Sequence, residues 1–93
     1  MTKRIYKYPL PPDLQFTLTL PWNSQNLHVA IDNKTGEPAL WALVTMDVPD
    51  VVRHFVVVAT GEDIPPDHFY VASWQSGPYV WHLFQQVTFD DQP

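Results

Sequence analysis

The residues able to do chemistry in this chain are few, and their spacing gives them no shared task. Four histidines, His28, His54, His68 and His82, carry the ring nitrogens that zinc or iron takes. No two stand two or four residues apart, the spacings that put imidazoles on one face of a strand or helix. His28 and His54 read as solvent-side strand residues, His68 as a loop residue and His82 as a partly buried ring between Trp81 and Leu83. No metal site is therefore expected. The carboxylates Asp47, Asp50, Glu62, Asp63 and Asp67 all fall in or beside turns near proline, where acidic residues serve solvation and turn formation. A general acid needs burial or a charged neighbour to move its pKa, and the pattern shows neither. Ser24, Ser73 and Ser76 lack the Gly-x-Ser-x-Gly setting of a nucleophile elbow. Thr60-Gly61-Glu62 follows an apolar run, but one glycine with acidic neighbours makes a turn rather than a phosphate cradle. The expectation is a non-enzyme with no cofactor.

Aromatic residues are the more informative set. Trp22, Trp41, Trp74 and Trp81, with Tyr70 and Tyr79, are many for so short a chain. Part of this set is expected to fill a core that has no covalent staples, because each ring buries roughly 150–250 Å². The remainder is expected at the boundary with water, where Trp and Tyr anchor protein contacts and stack on bases or sugars. The proposed contact residues are Trp22, Tyr79, Trp81, Tyr6 and Tyr8.

The elements that must position these residues are strands. Ten prolines and three glycines divide the chain into short pieces rich in β-branched and aromatic residues. Residues 5–8 form a candidate first strand. Residues 14–20 alternate without interruption, with Leu14, Phe16, Leu18 and Leu20 on one face. Leu27, Val29 and Ile31 alternate toward a turn at residues 32–36, where Asn33 and Gly36 tolerate positive φ. Residues 39–46 are apolar on both faces, which implies a central or doubly covered strand. Residues 51–59 are β-branched and end at Thr60-Gly61. Residues 69–74 and 79–87 are the arms of a last hairpin around Gly77-Pro78. Seven or so short strands with no amphipathic helix give a mostly β fold, either a small antiparallel β-sandwich or a partly open barrel. Residues 1–93 make one domain, with an acidic tail frayed from about residue 88.

Composition bounds the setting. The 93 residues are 45% hydrophobic and include no cysteine, so the chain has neither disulfides nor thiolate metal sites. Its formal charge is −5, and Lys3, Arg4 and Lys7 are three of its five basic residues. Three clustered cations are too few to neutralise a phosphate backbone, so direct nucleic-acid binding is not expected. No cationic segment leads into an apolar stretch at the start, and no apolar run approaches the ~20 residues that span a bilayer. A cytoplasmic protein without membrane contact is the expectation.

The segments Lys3-Arg-Ile-Tyr-Lys-Tyr-Pro-Leu10, Leu27-His-Val-Ala-Ile, Leu40-Trp-Ala-Leu-Val and Val58-Ala-Thr-Gly61 with Ile64-Pro65 resemble a family of small proteins of unknown function from bacteriophages and prophages. The resemblance runs from residue 3 to about residue 84 and transfers no site residue. It implies a setting in the host cytoplasm and an accessory factor that blocks a host protein, including restriction or CRISPR machinery. The alternative is a small-molecule binder that holds a nucleotide between rings of a homo-oligomer, with Lys3, Arg4 or Arg53 on its phosphate.

Overall fold

Residues 1–88 are described by a computed structural model. They form seven strands: β1 (Lys3–Pro9), β2 (Gln15–Pro21), β3 (Gln25–Asp32), β4 (Glu37–Thr45), β5 (Asp50–Ala59), β6 (His68–Ser76) and β7 (Tyr79–Gln86). The first sheet has the order β1-β4-β3 and the second β2-β5-β7-β6, with every pairing antiparallel. The result is a small β-sandwich with no closed barrel, and its short axis of 17 Å is the thickness of two stacked sheets. The acidic tail expected to fray beyond residue 88 lies outside the described residues.

Strand assignment follows the alternation, and the core follows the register. On β4 the side chains of Leu40, Ala42 and Val44 are sealed from solvent. Leu40 stands between Tyr8 of β1 and Val29 of β3. The second sheet answers with Phe55 of β5 and Leu83 of β7, which join Leu10, Val29 and Leu40 in one buried cluster. Trp74, Val57 and Phe16 pack against its rim. The link from β4 to β5 carries the chain from one sheet to the other. It is tied at both ends, by the Met46 N–H donating to the Thr2 carbonyl at 2.9 Å and the Trp22 N–H donating to the Pro49 carbonyl at 2.7 Å.

Two apolar positions depart from the simple alternation. Leu14, placed by pattern on the inner face, precedes β2 and is 56% exposed, although its carbonyl still accepts the Val57 N–H at 2.8 Å. Leu27 is also exposed. The register of β3 against β4 shifts between Asn26 and His28, so Leu27 sits on a bulge and takes no place in the two-face alternation. β1 and β2 are edge strands, and each ends in proline, which has no N–H to offer a further strand.

The β3–β4 turn depends on one residue. Gly36 has φ 74°, and its N–H donates to the Asp32 carbonyl at 2.7 Å. A Cβ at this position would meet nothing within 4 Å, so a side chain costs backbone strain alone. Gly36→Ala is expected to lower stability by about 1–2 kcal/mol, measured by urea denaturation, with Gly36→Asn costing less.

Candidate functional site

The inner face of β7 sets up the first candidate surface. Leu83, Trp81 and Tyr79 follow one another on this face, and burial falls away along it: Leu83 is sealed, Trp81 is half-buried and Tyr79 is 60% exposed. The face that closes the core thus runs out past the cover of the first sheet and becomes an open ledge. Tyr79 and Trp81 hold each other there, with ring centroids 5.9 Å apart and planes inclined by 37°. Gly77, at φ 58°, makes the tight turn that presents the pair. Val80, on the opposite face, is exposed as well.

The other proposed contact residues fall elsewhere. Tyr6 and Tyr8 lie on edge strand β1, Tyr6 exposed and Tyr8 half-buried. Burial raises the Tyr8 pKa above that of an ordinary phenol, and the Asp50 carboxylate and the Tyr6 phenol push it the same way. Tyr8 is therefore a neutral hydroxyl at physiological pH. Trp22, in the β2–β3 turn, is half-buried and lines a cleft. All four indoles are half-buried, neither sealed in the core nor standing free in water. Across the top of the first sheet Lys7 reaches over β4 to Asp32 at 2.6 Å. The Lys7 hydrogen bond, followed by the Lys34 backbone N–H, holds the Asp32 carboxyl below its usual pKa.

The cleft that Trp22 lines has a volume of about 530 Å³ and opens between the two sheets. Its walls include Ser24 just before β3, Asn26 of β3, Arg53 of β5, Phe69 of β6 and Gln85 of β7. The Asn26 carboxamide donates across the gap between the sheets to Gln85 Oε1 at 2.9 Å. Gln85 is 6% exposed, and Asn26 Oδ1 is buried with no donor facing it. Sequence reading passed over this pair, because a polar residue in an alternating strand is taken as solvent-facing. The signal available was the polar triplet Ser24-Gln25-Asn26 entering a strand that then turns apolar.

A third cluster lies on the outer face of the second sheet. Tyr70 Oη is 2.8 Å from Ser73 Oγ, Ser73 Oγ is 2.6 Å from His82 Nδ1, and His82 Nε2 is 2.9 Å from Thr60 Oγ1. Thr60 Oγ1 in turn lies 3.5 Å from the Val80 carbonyl, which can only accept. With the Thr60 hydroxyl donating there, Thr60 Oγ1 accepts from His82 Nε2, a role assigned from the network. Serine against imidazole is the opening pair of a nucleophile site. Here, however, the second ring nitrogen meets a threonine hydroxyl where a triad has a carboxylate, so the cluster reads as a clamp between β6, β7 and the end of β5.

The remaining candidates are scattered over the molecule. His28 and His54 are exposed, and His28 lies tilted against Trp41. His68 opens β6 rather than lying in a loop, with Nδ1 2.8 Å from the Pro66 carbonyl. The Thr60-Gly61-Glu62 segment is a turn whose carboxylate is occupied, since Glu62 Oε1 accepts the Ala59 N–H at 2.6 Å. Among the described residues no three His, Asp or Glu side chains gather where a metal could be held, and no helix is long and apolar enough to cross a membrane.

The family described as a domain of unknown function, DUF7352, matches residues 1–92. No curated protein and no solved structure matches.

Proposed function

The chain belongs to the DUF7352 family of domains of unknown function, and we propose that it is a non-enzymatic binding module that occupies the surface of a partner protein. The observation that carries this reading is the ledge at the β6–β7 hairpin, where Tyr79 stands 60% exposed against Trp81 on a rigid two-strand support. Paired aromatics held in place by the fold lose little rotamer freedom on binding, and Trp and Tyr are enriched among residues whose truncation costs most at interfaces. The resemblance of the opening strand and the internal segments to small phage and prophage proteins supports a bacterial host component as the partner. Restriction or CRISPR machinery is then the class of target blocked.

A photo-crosslinking residue placed at position 79 tests this reading. In bacterial lysate it is expected to give one stoichiometric adduct with a host protein, while the same residue at position 14, exposed on the chain leading into β2, gives none. Equal adduct patterns from both positions, or none from either, would remove the ledge as the docking surface.

A further inference from the structure

Beyond a protein partner at the hairpin ledge, we infer that the free edge of β1 is a second docking surface, and that it takes an extended acidic segment of another protein as an added strand. The backbone sets this up. The Met46 N–H donates to the Thr2 carbonyl and the Leu10 N–H to the Pro38 carbonyl, and these pairs continue the β1–β4 register by one residue at each end. In an antiparallel pair, bonds between directly opposed residues recur at every second position, so Arg4, Tyr6 and Tyr8 turn their N–H and C=O groups toward β4. Those of Lys3, Ile5 and Lys7 point the other way. β1 ends the order of its sheet, so among the described residues no strand lies there to take them. Pro9, which has no N–H, closes the row.

The side chains along this row say what fits it. Ile5 is 61% exposed on the outer face and Tyr6 is 38% exposed on the inner one, an apolar centre that an added strand would cover. Lys3 and Arg4 continue the same two faces. Neither makes a salt bridge among the described residues, whereas Lys7 is already held by Asp32, and Arg4 reaches the Tyr6 hydroxyl at 3.5 Å. Lysine on an edge strand guards it against self-pairing: two copies joined about Ile5, the register that uses every free group, would set each Lys3 against the other copy's Lys7. The same cations attract carboxylates, on a chain whose net charge is otherwise negative, −5 in all. An antiparallel segment with two apolar residues followed by two acidic ones sets the first pair beside Tyr6 and Ile5 and the second beside Arg4 and Lys3. Its main chain supplies the hydrogen bonds and its side chains the selectivity.

The test uses the full chain and a labelled synthetic peptide, acetyl-Ser-Thr-Val-Val-Glu-Glu-Ser-amide, with the same peptide carrying lysine for glutamate as control. Fluorescence anisotropy gives the affinity and amide hydrogen exchange gives the place. The glutamate peptide is expected to bind about tenfold more tightly than the lysine peptide and to weaken as salt is raised. In the free protein the amides of Lys3, Ile5 and Lys7 should exchange faster than those of Arg4, Tyr6 and Tyr8, and the peptide should slow the first set. Ile5→Pro removes an outward N–H without breaking a bond to β4, and should weaken the glutamate peptide by about tenfold. Lys3→Glu combined with Arg4→Glu should weaken it by about as much. The exchange map on the unaltered protein decides the site even if Ile5→Pro does not fold. No binding of the glutamate peptide at millimolar concentration, equal affinity for the two peptides, or slowed exchange placed away from β1 would each overturn the assignment. So would a free chain that sediments as a dimer and becomes a monomer with Ile5→Pro, since a second copy would then be the occupant. None of these results bears on the hairpin ledge, which is tested by crosslinking.

Discussion

Phe55→Ala is expected to lower the unfolding free energy by about 3–5 kcal/mol. Phe55 lies on β5, an interior strand of the second sheet, and is 1% exposed. Its ring stacks on Phe16 of the neighbouring strand at 5.4 Å with planes 15° apart, and it belongs to the cluster that also holds Leu40 from the opposite sheet. Truncation removes apolar area from the centre and leaves a cavity that paired strands on both sides cannot collapse into. A domain of this size has only about 5–15 kcal/mol to lose, and each kcal/mol corresponds to roughly 4–8 °C in Tm. The variant should therefore melt many degrees lower, or populate the unfolded state at 25 °C. A urea midpoint displaced by less than the equivalent of about 1 kcal/mol would mean that the ring is not where the sandwich is closed.

The second large effect concerns the relation between the sheets. Leu40 on β4 and Leu83 on β7 come from different sheets, are both fully sealed and share one buried cluster. Each change to alanine should cost about 2–5 kcal/mol. Because the two side chains contribute to the same packed volume, the double variant should depart from additivity by about 0.5–3 kcal/mol. The cycle can be repeated with valine at both positions if the alanine double variant is unfolded. Strict additivity would mean that the two leucines lie in independent cores, which a stacked pair of sheets does not allow.

Most of the framework was legible in the sequence because period-two alternation and proline punctuation are local signals. β2 and β5 could be read from Phe16, Leu18 and Leu20 and from the β-branched run after Pro49, and the apolar character of β4 marked it as interior. Register is not local. The bulge at Leu27 depends on how β3 meets β4, and nothing in residues 25–32 alone announces it. Tertiary polar pairs are harder still. Asn26 and Gln85 are 59 positions apart, and each looks like an ordinary solvent-side residue until the sheets are stacked. The same holds for Ser73, His82 and Thr60, whose hydroxyls and imidazole meet only once β6, β7 and the end of β5 are side by side. For the proposed contact surface, the residue types could be read but not the grouping. Tyr79 and Trp81 stand together, whereas Trp22 turned to the cleft and Tyr6 and Tyr8 stayed with the edge strand β1.

The hairpin ledge depends on a mismatch of cover between the sheets, which leaves the last rings of an inward-facing row open to a partner. Its most direct test pairs two readings on the Tyr79→Ala protein: affinity for the crosslinked partner and midpoint of urea unfolding. Affinity should fall by about 2 kcal/mol or more while the midpoint stays close to that of the unaltered protein. Undiminished affinity, or a loss of binding matched by a loss of fold, would contradict the account.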